Sequence, residues 1–88
     1  MTVLIDKSFE KDTRKIKDEV LLQSIAHCIE NAIAATSLQD IASLKKLKGF
    51  KFHYRIRVGD YRAGILIKND TVIFERFIHR KDIYKFFP

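Results

Sequence analysis

The stretch Tyr54-Arg55-Ile56-Arg57-Val58-Gly59-Asp60-Tyr61-Arg62 decides how this chain folds. Apolar residues at Phe52, Tyr54, Ile56 and Val58 recur with the period of two of a half-buried strand, and Gly59-Asp60 suits a two-residue type II′ turn. A β-hairpin follows, with apolar side chains on one face and arginines on the other. Its register sets Arg57 directly across from Arg62. Like charges so opposed destabilise a hairpin by about 0.2–1 kcal/mol. A bound anion would remove that penalty, so the pattern reads either as a solvated basic face or as an anion site.

Working downstream, Asn69-Asp70 supplies a second tight turn, because both residue types tolerate positive φ. Three strands are expected, at about 52–58, 61–68 and 71–79. Two-residue loops then place Phe52, Tyr54, Ile56, Val58, Tyr61, Ala63, Ile65, Ile67, Val72, Phe74 and Ile78 on the helix-facing side. The opposite side receives His53, Arg55, Arg57, Arg62, Gly64, Leu66, Ile73, Glu75, Phe77 and His79. Arg55, Gly64 and Glu75 form one row of it, so Gly64 leaves a shallow floor between a cation and a carboxylate. Arg76 falls on the core side without explanation, and a bulge in the last strand would reassign it and all that follows.

Upstream, Val3-Leu4-Ile5 is a short strand, followed by Ser8 as a helix N-cap. Phe9, Thr13, Ile16 and Val20 recur at helical intervals, and Leu22, Ile25, Ile29 and Ala32 or Ile33 continue them through a second apolar segment from Leu21 to Ala35. A helical hairpin broken at Lys17-Asp18 suits the size of the chain better than one helix of about 27 residues, which would run about 40 Å. Thr36–Ser43 reads as a connection with a helical turn at Leu38 to Leu44. The fold class is α+β, two N-terminal helices on one face of a small, mainly antiparallel sheet in the order β-α-α-β-β-β. Residues 1–88 make a single domain.

The 47% apolar and 32% charged content is that of a soluble globule, with neither a membrane-length apolar run nor a basic leader, so a cytoplasmic protein without membrane attachment is expected. Cys28, the sole cysteine, lies on the apolar side of a helix and reads as a core residue. His27, Cys28, His53 and His79 show no metal-ligand spacing, so neither metal nor other cofactor is expected. The net charge of +6 points to a polyanionic partner. Between Asp40 and Asp60 the chain carries Lys45, Lys46, Lys48, Lys51, Arg55 and Arg57 and no acid, so the surplus sits beside the arginine hairpin. These lysines and His53 are candidate RNA-binding residues.

Leu47-Lys48-Gly49, the stretch from Tyr54 to Arg62, and His79-Arg80-Lys81-Asp82-Ile83-Tyr84 together resemble the signature blocks of the RelE/ParE toxin superfamily of type II toxin-antitoxin modules. The resemblance spans essentially the whole chain. It implies a RelE-like, metal-independent endoribonuclease that cuts mRNA on the ribosome and is held inactive by a cognate acidic antitoxin. By position, Arg55 and Arg57 stand where the family commonly has lysines, Arg62 and Arg80 match family arginines, and Tyr84 matches the C-terminal tyrosine. An arginine stays protonated and cannot act as general base, so Arg55 and Arg57 are limited to positioning and charge stabilisation. His79, Tyr84, His53 and Glu75 are the candidates for handling the proton, His79 and Tyr84 first among them. The resemblance also admits a ParE-like alternative, a non-enzymatic DNA gyrase inhibitor, because both branches share the hairpin.

Overall fold

The apolar run at the start of the chain forms an edge strand, β1 (Thr2–Ile5), in the computed structural model, which describes all 88 residues. Asp6, rather than Ser8, caps the first helix, α1 (Lys7–Arg14), its carboxylate accepting the Ser8 N–H at 3.1 Å. The chain then breaks where the length argument requires. Asp18 accepts the N–H groups of Val20 and Leu21 and opens α2 (Glu19–Ala34). A single 3-10 turn at Leu38–Asp40 leads to a strand absent from the sequence reading, β2 (Leu44–Lys46). β3 (His53–Val58), β4 (Tyr61–Lys68) and β5 (Thr71–His79) follow, and one helical turn, α3 (Ile83–Phe86), closes the chain.

The five strands lie in the order β1-β5-β4-β3-β2, with β1 parallel to β5 and every other pair antiparallel. Both turns adopt the expected geometry. Gly59 has φ +59° with Asp60 outside the left-handed region, as type II′ requires, whereas Asn69 and Asp70 are both positive, at 51° and 62°.

One face of the sheet packs beneath the helices. Phe9 of α1 makes edge-to-face contacts with Phe74 and Phe77 at 5.4 and 5.8 Å, and Ile25 and Ala32 of α2 join Ile56, Val58, Ala63, Ile65, Ile67 and Val72 in the same core. Leu21, Ile25, Cys28 and Ala32 are the inward stripe of α2, while Val20 is 72% exposed and Leu22 and Ile33 also face solvent. The expected stripe holds at Ile25, Ile29 and Ala32, Leu21 and Cys28 widen it, and of its expected members Leu22 turns outward. Phe52 likewise stays outside the core, half-buried under the ammonium groups of Lys51 and Lys68.

The bulge that Arg76 called for is present. The β4–β5 register shifts between Gly64 and Ile65, so Gly64 faces Arg76 rather than Glu75, and Phe77 and His79 cross to the helix side while Ile78 moves to the other. The expected placement of Phe77, Ile78 and His79 is thereby inverted. Arg76 reaches Asp12 of α1, Nε donating to Oδ2 at 2.8 Å and Nη2 to Oδ1 at 3.3 Å, and the Phe77 N–H donates to the same carboxylate at 2.9 Å. β1 pairs with β5 only as far as Phe74, so Asp12 satisfies the edge beyond it.

Candidate functional site

Strand alternation and register carry four basic side chains to the face that the helices leave open. Arg55 and Arg57 lie two residues apart on β3, Arg62 is paired directly with Arg57, and Lys45 is paired with Arg55. Lys45 joins this row because β2 pairs with β3. Leu44 and Lys46 alternate to the other side, where Lys46 lines a groove with Tyr54 and Leu38. The signal for β2 is faint, three residues inside a lysine-rich loop, and only the pairing reveals it.

Arg62 is at the centre. Its Nη1 donates to the carbonyls of Gly59 and Tyr61, 2.9 Å each, which fixes the guanidinium against the hairpin turn. Partial burial, and then Arg55, Arg57 and Arg80, hold its pKa below the ordinary guanidinium value, with the Tyr84 phenol acting in the opposite sense. Four arginines and one tyrosine therefore share one electrostatic neighbourhood. Salt bridges are confined to Arg76, Arg80 and Lys85, so no carboxylate neutralises Arg55, Arg57 or Arg62. Arg80 stands at the hairpin tip, its N–H donating to the Asp60 carbonyl at 2.8 Å and its guanidinium 3.8 Å from the Asp60 carboxylate. Tyr84 projects from α3 and is 67% exposed.

His79 lies elsewhere. It pairs with Tyr61 on the helix side, its ring edge-on to Tyr61 at 5.4 Å, and its Nδ1 accepts the Lys81 N–H at 3.2 Å. His53 is on the open face but sits between the rings of Phe50 and Phe87, at 5.5 and 5.6 Å. Lys48 and Lys51 occupy the β2–β3 loop, apart from the arginines by position.

The shallow floor expected at Gly64 is occupied. Phe87 lies on it so closely that a Cβ at Gly64 would fall 2.7 Å from the ring, and Phe87 joins Leu47, Ile78 and Ile83 in a second small core on the open face. The hollow predicted between Arg55 and Glu75 is therefore a packing site, and the arginines stand at its margin. A groove of about 490 Å³ between α2 and β3 touches the arginine group through Arg57 alone. No three His, Cys, Asp or Glu side chains gather as a metal-binding group, and burial pushes the Cys28 thiol up to about 11. No helix is long and apolar enough to cross a membrane.

Residues 3–84 match the family described as the ParE toxin of the type II toxin-antitoxin system parDE. The chain belongs to the RelE/ParE toxin superfamily. It is 44% identical over its whole length, and over the whole length of the other protein, to Toxin RelE3 of Methanocaldococcus jannaschii. Among solved structures, the RelB-RelE antitoxin-toxin complex from Methanococcus jannaschii matches 97% of this chain and 99% of the other with a TM-score of 0.79 at 41% identity. The RelBE2 complex from Mycobacterium tuberculosis shares the fold over 90% of this chain and 96% of its own, with a TM-score of 0.70 at 22% identity. The toxin thus has the α+β architecture of RelE proteins, with its open sheet face bearing the arginines.

Proposed function

We propose that this toxin is a metal-independent endoribonuclease that cleaves mRNA on the ribosome. The observation that carries the reading is Arg62 paired directly with Arg57, with Arg55 on the same face of β3 and Arg80 bonded to the hairpin turn at Asp60. The chemistry requires the ribose 2′-oxygen to attack the adjacent phosphorus while the 5′-oxygen of the next nucleotide leaves, giving a 2′,3′-cyclic phosphate and a 5′-hydroxyl. Negative charge accumulates on the non-bridging oxygens in the transition state. Arg62, fixed by two backbone carbonyls, meets that charge without reorganising, and its neighbours Arg55 and Arg57 add further positive charge beside it. Arg80 binds a flanking phosphate.

Arginine cannot accept the 2′ proton, so a separate group must handle it. Of the four candidates, His79 is turned to the other side of the sheet, His53 is packed between two phenylalanines, and Glu75 is the partly buried extra residue of the bulge, which leaves Tyr84, exposed on the turn that follows Arg80. Tyr84 is therefore assigned the proton transfer: its phenolate form takes the 2′ proton, and the resulting phenol returns a proton to the departing 5′-oxygen. Lys45 extends the basic row along the RNA backbone.

An acidic antitoxin is the expected partner in the cell. The relative from Methanococcus jannaschii was crystallised as an antitoxin-toxin complex, and the unneutralised arginines of this chain suit an acidic cover. A second reading, inhibition of DNA gyrase by binding, is favoured by the ParE description of the matching family. Purified toxin added to translating ribosomes, with primer extension on the message, and in parallel to a gyrase supercoiling reaction, separates the two. Message cleavage without loss of supercoiling supports the nuclease. Loss of supercoiling with intact message supports the alternative.

A further inference from the structure

The last turn of the chain buries two side chains against the open face of the sheet. α3 is four residues long, too short to persist alone, and its backbone is closed by the Lys85 and Phe86 N–H groups donating to the Asp82 carbonyl and the Phe87 N–H to that of Ile83. Ile83 and Phe87, four positions apart, point inward and are 1% and 4% exposed. Tyr84 points outward from the same turn. Phe87 is seated in the notch left by Gly64, with ring carbons 2.7–2.8 Å from where a Cβ would stand, and the His53 ring meets it edge-on. Gly64 has no left-handed backbone to explain it; what demands glycine is the aromatic ring above it.

We infer that Phe87, docked in the Gly64 notch, is a positioning residue that holds the turn bearing Tyr84 against the strand bearing Arg62. The inference rests on the nuclease reading for its kinetic consequence, and on the notch for its structural one. Gly64 belongs to β4, two residues from Arg62 on the same face, so a ring seated on it ties the tail directly to the strand that carries the central guanidinium. Without that contact one anchor, Ile83, remains, and the turn frays.

Single-turnover cleavage of message on programmed ribosomes, in wild-type and Tyr84→Phe backgrounds, tests the kinetic side. Phe87→Ala should lower kcat about 10- to 10²-fold in the wild-type background with KM nearly unchanged, because misplacing a reacting group by about 1 Å costs that much. Phe87→Leu should recover most of the rate. In the Tyr84→Phe background Phe87→Ala should cost nothing further. An equal loss in both backgrounds, or a wild-type rate for Phe87→Ala, overturns the inference.

Amide hydrogen exchange tests the structural side without turnover. The Lys85, Phe86 and Phe87 amides should be protected in the wild type and unprotected in Phe87→Ala and in Gly64→Ala, while those of Ile65 and Phe74 stay protected in all three. Unchanged protection of the tail overturns the inference even if the wild type proves not to cut RNA. A wild type that does not cut RNA, with a protected tail, contradicts the nuclease reading instead.

Discussion

Arg57 and Arg62 face each other across the hairpin with no carboxylate between them. Such a pair is kept at a cost to the free protein, so removing one member separates stability from activity. Arg57→Ala should raise the stability of the chain by about 0.2–1 kcal/mol in urea denaturation while lowering cleavage. Arg62→Ala should cut kcat about 10²- to 10³-fold, as loss of one fixed donor to a developing anion does, with an unchanged circular dichroism spectrum. Glu75, at the bulge, titrates in a direction that can be worked out. Partial burial raises its pKa above 4.5, aided by Asp6 and opposed by His53, so the folded chain holds this proton to higher pH than the unfolded one. Its contribution to stability therefore falls as pH rises from 4.5 through the raised value and then levels off. Glu75→Gln should remove that decline from a series of urea midpoints measured against pH.

Among the elements, β5 shows where the sequence speaks and where it is silent. The hairpin of β3 and β4 was fully legible, because alternation, a glycine turn and a paired register are all local signals. Arg76 betrayed the bulge by falling on the wrong face, yet the residue skipped was not identifiable from β5 alone. Asp12, 64 residues earlier, is what stabilises the shifted register, by taking both the guanidinium and the Phe77 N–H. Asp12→Ala should destabilise the fold by about 1.5–3 kcal/mol in urea denaturation, since it removes a charge-assisted hydrogen bond and leaves an edge N–H unpaired. Asp12→Asn should lose less, because an amide oxygen still accepts that N–H. β2 escaped notice for the opposite reason: three residues supply too little pattern, and its pairing with β3 is what places Lys45 beside Arg55. Of the candidate site, the shared face of Arg55, Arg57 and Arg62 was readable in the alternation, and Tyr84 came with the family resemblance. The helix-side placement of His79 and the filling of the Gly64 floor were not readable, since one depends on the bulge and the other on the penultimate residue folding back over the sheet.

For the molecule as a whole, a net charge of +6 is divided between two sides of one sheet. The helices cover one side with an ordinary apolar core. The other side carries a small second core built by the tail and, at its margin, the arginines. Under the proposed function, that division lets a polyanionic partner approach a preformed surface without disturbing the main core. If four arginines contact phosphates, the logarithm of RNA affinity should fall with the logarithm of salt concentration at a slope of about −3, and Arg57→Ala should reduce that slope by about 0.7. The most direct measurement of the central claim is the mapping of message ends after purified toxin meets a translating ribosome. The account predicts discrete breaks bearing a 2′,3′-cyclic phosphate upstream and a 5′-hydroxyl downstream, nearly absent with Arg62→Ala. Intact message in the presence of a folded, growth-arresting toxin, or the same breaks at the same rate from Arg62→Ala, would contradict it.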